Sequence, residues 1–144
     1  MITPIRLKDR FKIMRWRNEQ LYHLRQKKKI TKKDQELYFK DVVNPLFKTK
    51  KPNQILFSFL ENQKCIGYGG LVHIDWGLKK AEISFVMKTS LEEKSFSLYW
   101  TAFLKLIEIV AFKEMEFKSV FTFLNNVGRI HVLHIKHSAH VLQE

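Results

Sequence analysis

The chain has 144 residues, 45% of them hydrophobic, with twelve Phe and three Trp. That is the size of one domain with enough apolar side chain to bury a real core, which excludes the disordered class. The net charge is +12, and it is unevenly spread: residues 1–60 hold 16 Lys and Arg against 5 Asp and Glu, residues 61–144 hold 10 against 9.

The positive field therefore belongs to the N-terminal part, around Arg15, Arg17, Arg25, Lys27, Lys28, Lys29, Lys32 and Lys33. Such a face attracts phosphates, nucleotide-linked substrates, RNA or an acidic membrane, and its plain alternative is a solvated helix face. No apolar run reaches ~18 residues without a charge, and Met1–Arg10 has no hydrophobic signal region. The expectation is a cytoplasmic protein that does not enter a membrane. The single cysteine, Cys65, cannot form an internal disulfide and reads as a buried structural thiol rather than a nucleophile.

In chain order, Asp9 is placed to cap a helix through Phe11, Met14, Trp16, Asn18, Leu21 and Leu24, with Arg15, Arg17 and Arg25 on other faces. Lys27-Lys28-Lys29 reads as a loop. Thr31-Lys32-Lys33-Asp34 resembles a capping box opening a second helix through Leu37, Tyr38 and Val42, which Asn44-Pro45 ends. Thr49 to Asn53 is a basic connector.

Strand signals follow. Gln54–Leu60 is β-prone, Glu61-Asn62-Gln63-Lys64 is a hairpin turn, and Cys65–Ile74 is a strand interrupted by Gly67, Gly69 and Gly70. Glycines inside a strand mark a bulge or a close approach of something else, and a bulge is the preferred reading. Asp75-Trp76-Gly77-Leu78-Lys79-Lys80 connects to a third strand, Ala81–Met87, with Glu82 near its start. After a turn, Phe96–Phe112 is apolar on nearly all sides, which predicts a helix packed across a sheet. Phe117–Leu124 is a fourth strong strand.

The tail carries His131, His134, His137 and His140, each three apart. On a helix, steps of three drift by ~60°, so at most a neighbouring pair could share a metal, and zinc prefers three or four ligands. No metal is expected, and a histidine-rich helix or a disordered end is the reading. The whole is one α/β (α+β) domain over residues 1–144, a mainly antiparallel sheet with two N-terminal helices and a central helix packed on it. Residues 125–144 form an atypical tail.

Three words in order, Met14-Arg15-Trp16-Arg17-Asn18, Ile66-Gly67-Tyr68-Gly69-Gly70-Leu71 and His73-Ile74-Asp75-Trp76 leading to Ala81-Glu82-Ile83-Ser84-Phe85, resemble the GNAT superfamily of N-acetyltransferases. The Trp-Arg-Asn helix is similar to the branch that acetylates ribosomal-protein N-termini and sugar amines. The resemblance implies that the strand at Ala81–Lys88 diverges from that at Phe117–Leu124, opening a V-shaped cleft. Acetyl-CoA would lay its pantetheine arm along Phe85, Val86 and Met87 like an added strand. Its pyrophosphate would sit at the next helix start, near Lys94, Ser95, Phe96 and Ser97.

Glu82 is then the candidate base for a primary amine acceptor, its alternative being an outward carboxylate paired with a lysine. His73, Asp75 and Trp76 would line the acceptor side, and Arg15, Arg17, Asn18, Tyr22 and Arg25 would meet an anionic acceptor. The chain departs from the family at two places. Thr89–Ser97 contains no glycine where a glycine-containing phosphate loop is usual, and no Tyr follows Tyr99. With the last strands of the sheet in doubt, a catalytically impaired family fragment, pairing with itself as a homodimer through strand edges, is one alternative. A basic polyanion binder is another, although no base-stacking aromatic motif favours nucleic acid.

Overall fold

The structure is a computed structural model that describes the chain except residues 22, 23, 25, 127, 128, 137–140 and 144, with backbone alone over the remainder of 123–143. One seven-stranded sheet runs in the order β1 to β7: β1 Ile2–Pro4, β2 Ile55–Glu61, β3 Lys64–Asp75, β4 Lys80–Met87, β5 Ser119–Asn126, β6 Arg129–Lys136 and β7 Val141–Gln143. Helices α1 (Arg10–Glu19), α2 (Lys32–Tyr38) and α3 (Asn44–Leu46) precede β2, and α4 (Thr89–Glu108) links β4 to β5. Among the described residues every strand pairing is antiparallel except β4 with β5, which is parallel. The α/β (α+β) class is as the sequence implies.

The sheet separates two cores. On one side, Leu71, Ala81, Ile83 and Val120 pack against Trp100, Phe103, Ile107 and Ala111 of the α4 region. On the other, Leu56, Tyr68 and Val86 pack against Ile13 and Trp16 of α1 and Phe39 and Val43. Alternation along β4 follows directly: Ala81, Ile83 and Phe85 face α4, while Glu82, Ser84 and Val86 face α1 and α2. The helical stretch Thr89–Glu114 is long and apolar enough to cross a membrane by length and composition. Its Trp100–Phe103–Ile107–Ala111 side is buried on the sheet, while Leu98 and Ile109 are exposed.

Several local expectations hold and several are corrected. Thr31 and Asp34 do form a reciprocal capping box at the start of α2. Asp9, by contrast, caps nothing; it is 2% exposed and takes two hydrogen bonds from the Arg6 guanidinium, at 2.6 and 3.0 Å. The buried face of α1 is Ile13, Trp16 and the C-cap Gln20, not the Phe11 face, and the helix stops at Glu19. Pro45 does not end the second helical region. Wide turns at Phe39–Val43 continue into α3, where Pro45 occupies the first helical turn, a position that needs no N–H.

The strand glycines meet neighbouring backbone. A Cβ on Gly69 would fall 2.0 Å from the Ser84 carbonyl oxygen, and one on Gly70 2.0 Å from that of Ile55. A bulge is present as well, where Ile66 is inserted opposite Phe59 and Leu60. The tail is the largest correction. Arg129–Lys136 pairs with the whole of β5 and Val141–Gln143 pairs with β6, so neither the histidine helix nor the missing last strands are seen. His137 and His140 lie outside the described residues.

Candidate active site

Strands β4 and β5 are in register at only three rungs, Lys80↔Ser119, Ala81↔Val120 and Glu82↔Phe121. Beyond Glu82 the two strands part, as the V-shaped cleft requires. Ladder geometry says which backbone groups the parting leaves. Lys88 N–H donates to the Ile66 carbonyl at 2.8 Å, so even-numbered β4 residues point their peptide groups at β3. Ile83, Phe85 and Met87 therefore turn theirs toward the opening. Val86 does not, because its backbone pairs with Tyr68.

Two of the three opening residues already have partners. The Thr122 hydroxyl donates to the Ile83 carbonyl at 3.0 Å, closing the apex of the V. The Gln20 side-chain amide donates to the Met87 carbonyl at 2.6 Å and to the Thr89 hydroxyl at 3.2 Å, fastening the end of α1 to the far end of the edge. Phe85 lies between them, its ring stacked on Phe103 at 4.3 Å and 22°.

Glu82 occupies the last rung before the parting, on the α1–α2 face, and is 9% exposed. His73 comes to it through a register shift. The β3–β4 pairing slips between Val72 and Asp75, His73 adopts a φ of 49°, and its Nδ1 lies 3.3 Å from Glu82 Oε1. The His73 side chain is 67% exposed and that of Glu82 12%, so the pair leads from a buried carboxylate to solvent. This bulge re-aims a side chain at a neighbour, as bulges near functional sites do.

The other candidate residues divide. Asp75 Oδ1 accepts from the Leu78 N–H within the turn, and Trp76 lies on the α4 side, its Nε1 donating to Pro52 at 2.8 Å and its ring edge-on to Phe117. Neither is brought to Glu82 by these contacts. Asn18 exchanges hydrogen bonds with the backbone of Ile30 and thereby fixes the α1–α2 connection. Arg15 is exposed, Arg17 reaches Tyr68 and Gln26, and Tyr22 and Arg25 lie outside the described residues.

The glycine-free stretch is helical from Thr89, where a loop was expected. Ser95, with φ −140° and ψ 26°, breaks that helix. Two helical segments meet at this kink, the second beginning at Phe96 and Ser97 with the exposed Lys94 beside them. Cys65 is buried, and burial pushes its thiol up to about 11, unsuited to a nucleophile at neutral pH. Gln20 and Thr122 were not foreseen from sequence. A buried Gln at a helix end and a strand Thr carry no local signal of what they bond.

A family model described as an acetyltransferase (GNAT) domain matches residues 2–136. No curated protein matches the chain. A chimera of the Vibrio cholerae spermidine N-acetyltransferase SpeG with hSSAT superposes with a TM-score of 0.71 at 14% identity, over 96% of this chain and 95% of that one. The dodecameric spermidine N-acetyltransferase of Vibrio cholerae gives 0.69 at 14% identity, over 96% and 94%. The same organism's spermidine/spermine N-acetyltransferase SpeG, in complex with manganese ions, gives 0.64 at 15% identity, over 87% and 68%. At such identities the likeness is one of fold.

Proposed function

The chain belongs to the GNAT acetyltransferase family, and from that premise we propose that it transfers an acetyl group from acetyl-CoA to the primary amine of a small anionic molecule, such as a nucleotide-linked amino sugar. The observation that carries this reading is the parting of β4 from β5 immediately after Glu82. An exposed strand edge binds an extended, amide-bearing arm as an added strand would, and Phe85 offers the free rung. The start of the second helical segment at Phe96 and Ser97 suits a pyrophosphate, because N–H groups at a helix start and the helix dipole favour anions.

Acetyl-CoA supplies the activated acyl group. The acceptor nitrogen attacks the thioester carbonyl carbon, the C–S bond breaks as the N–C bond forms, and CoA leaves as its thiolate, which takes a proton from solvent. In this reading Glu82 takes the proton that the nitrogen loses, at the apex of the V. The proton then passes from Glu82 Oε1 to His73 Nδ1 and, the imidazole being exposed, to solvent.

The preference for an anionic acceptor rests on charge. The solved structures of like fold are named for spermidine, a polycation, whereas residues 1–60 here carry an excess of eleven positive charges. A cationic N-terminal region raises the local concentration of anions and repels polyamines. The test is release of free CoA thiol from acetyl-CoA with three acceptors: a nucleotide-linked amino sugar, spermidine, and a peptide with a free N-terminus. Fastest turnover with the first is expected. No thiol release with any amine, or a preference for spermidine, contradicts the reading.

A further inference from the structure

A second cavity, of about 360 Å³, lies between α1, α2 and β3 and is lined by Ile5, Ile13, Ile30, Phe39, Arg17 and Tyr68 among others. Its size falls within the range of about 300–1,000 Å³ found for small-molecule sites, and its walls are apolar apart from a few polar groups. It is distinct from the catalytic cleft. Tyr68 stands on β3 and pairs with Val86, whereas the cleft opens on the other side of β4, where β5 departs and Phe85 turns its peptide group.

The polar end of the cavity is built for a negative charge. Arg17 Nη1 donates to the Tyr68 hydroxyl at 2.6 Å and Arg17 Nε to Gln26 Oε1 at 2.9 Å. Both acceptors are neutral, and among the described residues no carboxylate pairs with this guanidinium. A charge held this way keeps unspent donor capacity, since a guanidinium has five N–H groups. Tyr68 is 8% exposed, and its burial, the largest influence on it, raises its pKa, so the phenol stays protonated. With one lone pair taken by Arg17, its own O–H remains to be donated. Asp34 also lines the cavity, but it is exposed and its Oδ2 already accepts from the Thr31 N–H in the α2 cap.

We propose that this cavity binds a small organic anion, with an apolar body against Ile13 and Phe39 and a carboxylate or phosphate head received by Arg17 and Tyr68. The site goes beyond the transfer reaction and does not depend on it, since neither Glu82 nor the β4 edge takes part. Hydrogen bonds from a charged donor to a charged acceptor are roughly twice as strong as neutral ones, so the head group should dominate recognition.

The test uses three six-carbon probes of one shape, hexanoate, hexanamide and hexylamine, titrated into the full chain without acetyl-CoA and followed by amide chemical shifts. Hexanoate is expected to bind about tenfold or more tightly than hexanamide, with shifts centred on Arg17, Tyr68 and Phe39. Arg17→Gln should abolish the preference for hexanoate, and Tyr68→Phe, which keeps the ring, should weaken it several-fold. Thermal melts of both variants establish that they fold. Equal binding of hexanoate and hexanamide, tightest binding of hexylamine, no binding at millimolar concentration, or an unaltered preference in Arg17→Gln would overturn the proposal. Because no acetyl-CoA is present, failure here leaves the acetyltransferase reading standing, and its failure leaves this one.

Discussion

The Thr122 hydroxyl donates to the Ile83 carbonyl at 3.0 Å, one residue beyond the last rung that joins β4 to β5. A side chain here takes over from the backbone ladder, and past that point β4 has no strand on its β5 side, while β3 stays paired with it as far as Met87. Thr122 is 4% exposed, so Thr122→Val, nearly isosteric, leaves the Ile83 carbonyl without its donor in a dry place. The expected cost is about 1–3 kcal/mol, read by urea denaturation. A loss below a few tenths would mean that the bond does not hold the apex.

Glu82→Gln keeps shape and burial but removes the ability to take a proton. Turnover should fall by about 10²–10⁴-fold while the affinity for CoA stays within experimental error. His73→Ala should lower turnover less, because Glu82 retains its place on the last rung and can pass its proton to water. Steady-state kinetics together with CoA titration separate the two effects. An unchanged turnover in Glu82→Gln would remove it as base.

Gly69→Ala should be far more damaging than an exposed substitution. The added Cβ would sit 2.0 Å from the Ser84 carbonyl oxygen and 2.9 Å from the Phe85 Cα, both backbone atoms that cannot turn aside. Strands β3 and β4 would have to separate at the cleft edge, for a cost of at least ~3 kcal/mol. Denaturation of the purified variant checks this, and a near-native midpoint would contradict it.

Much of the fold was legible where the determinants are local. The Thr31–Asp34 capping box and the Glu61–Lys64 turn need only four residues each, and both are present. The alternation of Ala81 to Met87 fixed which residues share a face. What sequence could not supply were partners distant in the chain. β1 has three residues and exists because Ile2, Thr3 and Pro4 pair with Phe59, Ser58 and Phe57. The histidine spacing suggested a helix, but Val132, Leu133 and Ile135, set around His131 and His134, pair rung by rung with Phe123, Thr122 and Val120 of β5. At the site, Glu82 was visible as an acidic residue in an apolar strand, whereas its position on the last rung depends on where β5 departs. The Gln20 bond to Met87 spans 67 positions and was out of reach.

Asp9 makes stability depend on acid pH. Burial alone pushes its carboxyl up, but the hydrogen bonds from Arg6 and Ser58 and the Arg6 charge outweigh it and hold the group below its ordinary 3.8. A carboxylate depressed in the folded state stabilises fully above its unfolded value and loses that contribution as pH falls through the folded one. Asp9→Asn should therefore cost about 1.5–3 kcal/mol near neutrality. The gap to the parent chain should narrow only below pH 3.8. Denaturation of both proteins across pH reads the gap, and a constant difference would refute the linkage.

The central claim, that the open edge of β4 receives acetyl-CoA, is tested most directly by titrating the ¹⁵N-labelled chain with acetyl-CoA and following the backbone amides of β4. The Phe85 amide, which faces the opening, should move strongly downfield as it gains an acceptor, and Val86, already paired with Tyr68, should move little. Phe96 and Ser97 should respond with it. If acetyl-CoA at millimolar concentration leaves Phe85 unmoved, the edge is not the cofactor site and the account fails.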